Sequence, residues 1–260
     1  MCRHAAYLGE PIELGQFLLT PPHSLQVQSW APQELRYARL NADGFGFGWH
    51  GPDGHARRYV NPMPIWSDVN LPTLGESLES PLWLAAVRSA TSGFASGPAN
   101  TQPFARGELL FSHNGYLEDF IPRARPQLQR WLGPDVESGI DGSTDSEYLF
   151  AVVRQLLEED DDLSIEAALG EAFNLVGEWL DEGIALLNVL ISDGERIYAT
   201  RHAINHECPS LYYTTDDDSF PEGAQLVASE RLTESGLWQA VPEHHVLILD
   251  PQAPPELLAL

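Results

Sequence analysis

Lysine is missing from the 260 residues: all 14 basic side chains are arginine, set against 38 aspartates and glutamates. Without lysine there is no amine for Schiff-base chemistry and no phosphate-gripping lysine of a P-loop. A formal net charge of −24 argues against a general nucleic-acid binder, which needs clustered cations on one face. No apolar run approaches the roughly 18 residues that a membrane-spanning helix requires. The Met-Cys-Arg-His start has no apolar signal stretch. Cys2 and Cys208, the only two cysteines, make no disulfide framework, so a reducing cytoplasm is the expected compartment. The Gly-x-Ser-x-Gly turn of serine hydrolases of the α/β type is also absent. The acidic runs at residues 158–162 and 216–218 read as solvated loops.

What is present suits a globular fold. A hydrophobic share of 43% supplies an ordinary core, and no repeat or linker divides the chain, so one domain over residues 1–260 is expected. Apolar alternation or short apolar runs mark strands at residues 2–8, 44–49, 82–87, 108–113, 184–191, 196–200, 226–228 and 245–249. Thr144-Asp145-Ser146-Glu147 has the spacing of a capping box, with Tyr148, Leu149, Val152, Val153, Leu156 and Leu157 following on one helical face. Ser164 caps a second expected helix through residue 180. A third, over residues 118–132, is interrupted by Pro122 and Pro126. Many strands with helices gathered mid-chain predict α+β or layered α/β architecture, with sheets packed face to face. Regular strand-helix alternation is lacking, which counts against a doubly wound nucleotide fold.

The chemistry starts at Cys2. A methionine followed by so small a residue is normally removed, which leaves one residue carrying both a thiol and a free α-amine. A thiol and an α-amine titrate close enough to neutrality to serve as nucleophile and base. Cleaving an amide also needs oxyanion donors and a clamp for the substrate's charged end. Asn114-Gly115, after an apolar strand, offers a side-chain amide and an N–H; on its own the dipeptide reads first as a tight turn. Arg88 ends another apolar strand, as a bidentate carboxylate clamp or one half of a structural ion pair. Asp145 falls in the first turn of a helix, where negative charge is favourable anyway; as a ligand it would take a substrate ammonium. His202, His206 and Cys208 have suggestive metal spacing, but no second ligand pair accompanies them. Gly44-Phe45-Gly46-Phe47-Gly48 is not a dinucleotide fingerprint; its alternation marks a strand that something approaches closely.

Five motifs, each weak alone, carry a resemblance by their order: Met1-Cys2-Arg3-His4, Asn41-Ala42-Asp43-Gly44-Phe45-Gly46, Arg88-Ser89-Ala90-Thr91, His113-Asn114-Gly115 and Thr144-Asp145-Ser146-Glu147. The chain resembles the class II glutamine amidotransferases, which are N-terminal-nucleophile hydrolases, from residue 1 to about 230, ending at Ala228-Ser229-Glu230. Within them, Pro21-Pro22-His23-Ser24-Leu25, Ser29-Trp30-Ala31-Pro32, Trp66-Ser67-Asp68 and residues 85–91 are similar to the γ-glutamyl hydrolases of ergothioneine biosynthesis.

That resemblance implies a four-layer αββα sandwich and hydrolysis of γ-glutamyl-hercynylcysteine S-oxide through a γ-glutamyl thioester on Cys2. It implies an oxyanion hole of Asn114 and Gly115. Arg88, supported by Thr91, would hold the substrate α-carboxylate and Asp145 its ammonium. The expected partner is a small γ-glutamyl substrate, with no metal, cofactor, nucleic acid or membrane; oligomeric state stays open. Where well-studied members read Arg-Trp-Ala-Thr-His-Gly, this chain has Ser89 and Ser92, smaller groups that widen the pocket or alter how the carboxylate is held. Three alternatives remain at this point. They are a glutaminase or ammonia donor working with a separate synthase, an acidic binding protein without activity, and a metal hydrolase using His202, His206 and Cys208.

Overall fold

A computed structural model describes residues 2–35, 40–90 and 94–260. The first part of the chain forms β1 (Arg3–Glu13), α1 (Leu14–Leu18), α2 (Leu25–Trp30), β2 (Phe45–His50), β3 (Ala56–Asn61), α3 (Leu71–Ser77) and β4 (Glu79–Val87). The middle holds β5 (Phe104–Arg106), β6 (Leu109–Leu117), α4 (Arg125–Trp131), α5 (Pro134–Ser138), α6 (Asp145–Glu159) and α7 (Ile165–Leu180). The last part is strand-rich: β7 (Ala185–Ser192), β8 (Ile197–Arg201), β9 (Ala203–Ile204), β10 (Tyr212–Thr214) and β11 (Gln225–Ala228). It closes with β12 (Gln239–Ala240), β13 (His245–Asp250) and β14 (Ala253–Ala259).

These strands build two sheets, ordered β12-β10-β11-β1-β4-β2-β3 and β14-β13-β8-β7-β6-β5, with β9 added alongside β7. Strand periodicity explains how they stack, because successive side chains point to opposite faces. On β1, Ala5 and Tyr7 pack with Phe17, Leu18 and Leu25 under α1 and α2, while Ala6 and Leu8 pack with Leu190, Ala199 and Leu247 of the other sheet. On β6, Phe111 joins Leu149, Val153, Leu169 and Phe173 of α6 and α7, whereas Leu110 faces the intersheet layer. Helices, sheet, sheet and helices therefore form four layers, the αββα arrangement implied by the resemblance.

Local rules account for the elements nearest the site. Thr144 caps α6 by accepting from the Glu147 N–H at 3.3 Å. Glu147 does not complete the box; its carboxylate accepts instead from the N–H groups of Asp141 and Gly142, at 2.8 and 2.7 Å. The helix expected over residues 118–132 is a π-helical turn, Phe120–Ala124, running into α4. In the Gly-Phe alternation, Phe45 and Phe47 enter the core under the helices. Gly46 and Gly48 face the second sheet: a Cβ there would come within 2.5 Å of the Gln102 carbonyl oxygen and 2.6 Å of Leu110. The close neighbours of that strand are thus β6 of the opposite sheet and the segment leading into β5.

Candidate active site

Cys2 is 8% exposed and lies one residue before β1, whose first residue, Arg3, pairs with Val87 of β4. That register brings the thiol to the end of β4, where Arg88 begins; Cys2 Sγ is 4.0 Å from the Ser89 carbonyl oxygen. Arg88 is buried and held by the Asn41–Gly44 loop. Its N–H donates to Gly44 O at 2.8 Å, and its guanidinium Nη1 to Asp43 O at 3.4 Å. Asp43 returns the contact, its own N–H reaching Arg88 O and its carboxylate accepting from the Ala90 N–H at 2.8 Å. Two motifs far apart in sequence are one structural unit. The ion-pair alternative for Arg88 is not what the structure forms among the described residues, where its partners are backbone carbonyls.

Asn114 and Gly115 do not form the turn that the dipeptide suggests. Both lie inside β6, opposite Asn188 and Leu187 of β7. The strand continues to Leu117 because the loop-like pair has a ready partner in the apolar β7, and cross-strand pairing overrides local turn preference. Gly115 is required there: a Cβ would collide with the Leu186 carbonyl oxygen and the His113 ring. The Asn114 amide donates through Nδ2 to Ser229 Oγ at 3.2 Å, and its Oδ1 is buried without a partner among the described residues. Ser229 Oγ also accepts from the His4 N–H at 3.0 Å, so one hydroxyl ties Asn114 to the strand that carries Cys2.

Asp145 opens α6 and joins it to the end of β6. Oδ2 accepts from the Leu117 N–H and Oδ1 from the Ser146 N–H, both at 2.9 Å. Ser146 in turn lies 3.0 Å from His113 Nδ1, while the opposite ring nitrogen of His113 meets the Leu186 carbonyl at 2.7 Å. Nε2 therefore carries the proton and Nδ1 accepts from the Ser146 hydroxyl. Burial pushes the His113 imidazole below its ordinary range, and the Asp145 charge and the Leu186 bond offset only part of this. His4, fully buried, is pushed down further by burial, then by His113 and Arg3. Both rings are neutral packing groups at neutral pH; His4 Nδ1 sits 3.3 Å from Ser112 Oγ across the sheet interface.

Arg3 and Glu230 had no assigned role in the sequence, and no spacing rule could have paired residues 227 positions apart. Glu230 is 1% exposed and takes four bonds: Arg3 Nε at 2.7 Å, His23 Nε2 at 2.8 Å, and the N–H groups of Gln33 and Glu34 at 2.8 and 3.0 Å. Burial alone would raise its carboxyl, but the His23 bond, the Arg3 charge and the two backbone donors outweigh it and hold it down at about 2. The charge-assisted cluster fixes the 33–34 loop against the start of β1.

Thr91 and Ser92 lie outside the described residues, as does Met1. The structure does not assemble His202, His206 and Cys208 into a ligand set. Cys208 instead groups with Glu243 and His244, whose ligand atoms lie within 4.8 Å of one another, and Glu243 is already paired with Arg201 at 3.3 Å. His202 Nδ1 faces His244 Nδ1 at 3.1 Å. Sequence spacing found the loop but not the partners, which come from the turn leading into β13. Among the described residues, no helix is long and apolar enough to cross a membrane.

Cys2 just before β1, Arg88 just after the neighbouring β4 and an Asn-Gly pair on the facing sheet thus gather at one end of an αββα fold. Residues 22–252 match the class-II glutamine amidotransferases, and the chain belongs to that family. Among curated relatives it is similar to the gamma-glutamyl-hercynylcysteine sulfoxide hydrolase of Mycolicibacterium smegmatis, 34% identical over 95% of both chains. The enzyme of the same name from Mycobacterium tuberculosis is 32% identical over 95% of this chain and 92% of its own. Among solved structures, a glutamine aminotransferase class-II domain protein of Silicibacter pomeroyi superposes with a TM-score of 0.71 at 24% identity, covering 99% and 98% of the two chains.

Proposed function

We propose that this protein hydrolyses the γ-glutamyl amide of γ-glutamyl-hercynylcysteine S-oxide, releasing glutamate and hercynylcysteine S-oxide. The observation that carries the reading is the near-full-length similarity to hydrolases of that name in a chain that carries Cys2, Arg88 and Asn114-Gly115. We read residues 1–260 as one unit of the family.

Removal of Met1 frees the Cys2 α-amine, which takes the thiol proton. The thiolate attacks the δ-carbonyl carbon, and the Asn114 Nδ2 amide and Gly115 N–H receive the oxyanion. One Nδ2 hydrogen is engaged by Ser229, which orients the amide and leaves the second for substrate. The carbon–nitrogen bond then breaks, the proton goes to the departing amine, and a γ-glutamyl thioester stays on Cys2. Water attacks the thioester, returning the thiol and releasing glutamate. Arg88, with Thr91 beside it in sequence, holds the α-carboxylate. Asp145 receives the α-ammonium through the lone pairs its backbone bonds leave unused.

The test is purified Cys2→Ala alongside the unaltered enzyme, supplied separately with the sulfoxide substrate and with glutamine. The variant is expected to fold and to lose turnover; an active Cys2→Ala protein removes the mechanism. Unaltered enzyme that turns over glutamine while ignoring the sulfoxide substrate makes it a glutaminase or ammonia donor instead.

A further inference from the structure

One unexplained group beside the nucleophile is the Arg3 guanidinium. Arg3 is wholly buried; Nε is paired with Glu230 and Nη1 donates to the Cys2 carbonyl at 3.1 Å, but Nη2 has no partner among the described residues. A buried charged donor left unbonded is costly, more so than a neutral one. Arg3 lines a cavity of about 420 Å³, with Gln33, Glu34, Arg201, Ser210 and Tyr212 on its other walls.

Hydrogen bonds run from the walls of this cavity to the catalytic groups, through Arg3 to the Cys2 carbonyl and through Ser229 to Asn114. Ser210 Oγ donates to the Ser229 carbonyl at 2.8 Å, and the Ser229 hydroxyl is the one that orients Asn114. Glu34 accepts from the Tyr212 hydroxyl at 3.0 Å and is anchored through its N–H to the carboxylate that holds Arg3. A larger cavity, about 580 Å³, lies between α2 and residues 231–238, but among the described residues none of those lining it has a buried side-chain polar atom without a partner.

We propose that the 420 Å³ cavity is the leaving-amine subsite, with Arg3 Nη2 donating to a carboxylate on the carbon next to the departing nitrogen. This rests on the reading of the protein as a γ-glutamyl hydrolase and assigns the feature of the leaving amine that is read: the α-carboxylate that any amino-acid leaving group carries and ammonia lacks. In such a substrate the carboxylate sits two bonds from the scissile nitrogen, within reach of the residue that follows the nucleophile. Glutamine releases ammonia and offers Arg3 nothing. Its hydrolysis would leave the donor unpaired, and a site with an unmatched buried polar group discriminates strongly.

The experiment compares the sulfoxide substrate with its analogue in which the cysteinyl carboxylate is a carboxamide, using the unaltered enzyme and Arg3→Lys. Lysine retains a charge for Glu230, but its donors sit on one nitrogen and cannot reach Glu230, the Cys2 carbonyl and the cavity together. Labelling of Cys2 by a γ-glutamyl diazoketone, which presents the glutamyl half and no leaving amine, is followed in parallel. The unaltered enzyme is expected to favour the carboxylate at least tenfold in kcat/KM, and Arg3→Lys to bring the two substrates together. Gln33→Trp, at an exposed position on the cavity wall, is expected to slow sulfoxide turnover by a larger factor than it slows labelling. Equal use of both substrates by the unaltered enzyme overturns the subsite. So does discrimination that survives Arg3→Lys, or parallel loss of turnover and labelling in Gln33→Trp. An unaltered enzyme that is labelled but leaves both sulfoxides intact sinks the hydrolase reading itself, a different failure.

Discussion

Replacing Glu230 by glutamine tests the cluster beneath the nucleophile. The substitution keeps the shape and one acceptor oxygen but removes the charge that Arg3 and His23 share. The carboxyl is held at about 2 against an ordinary 4.5. That difference corresponds to about 3 kcal/mol of folding free energy, at about 1.4 kcal/mol per pH unit. With Glu230 only 1% exposed, solvent screening takes little from that figure. An independent expectation agrees: breaking one side of a buried pair typically costs about 3–5 kcal/mol, because the other charge is stranded. For a domain of this size about 3 kcal/mol lowers the melting temperature by roughly 6–12 °C.

Urea denaturation of Glu230→Gln and the unaltered protein at neutral pH measures the loss. Repeating it down to acid pH tests its origin. The folded-state carboxyl titrates below the unfolded one, so its contribution is complete above about pH 4.5 and disappears as pH falls toward 2. The gap between the two proteins should narrow across that window. A loss under about 1 kcal/mol at neutral pH, or a gap that stays constant into acid, would refute the reasoning.

Asn114→Ala removes one oxyanion donor, and kcat for the sulfoxide substrate should fall by about 10²–10³ with a smaller change in KM; an effect confined to KM would make Asn114 a binding group only. Acid should weaken the fold well before Glu230 titrates. His4 and His113 are buried neutral, so the unfolded chain takes up protons below about pH 6.5 that the folded chain refuses. The urea midpoint should therefore drop between pH 7.5 and 5.5, measured in high salt to screen repulsion among the surplus acidic groups. A flat midpoint would mean that these rings are protonated in the fold.

Sequence alone determined what depends on neighbours along the chain. The α6 and α7 stripes, the Thr144 and Ser164 caps and the alternation of β2 follow from local periodicity and capping, and the ordered motifs pointed to the family and its αββα layering. Tertiary structure decided what depends on contacts between distant segments. Asn114-Gly115 has the local signature of a turn, and only the β7 strand beside it makes it part of a sheet. Arg88 acquires its cradle from Asp43 and Gly44. Arg3 and Glu230 have no shared pattern that could have paired them, since register across strands, not spacing along one, brings them together. The metal-like spacing of His202, His206 and Cys208 failed for the same reason: side-chain neighbours are set by which segments lie side by side, and the turn leading into β13 supplies Glu243 and His244.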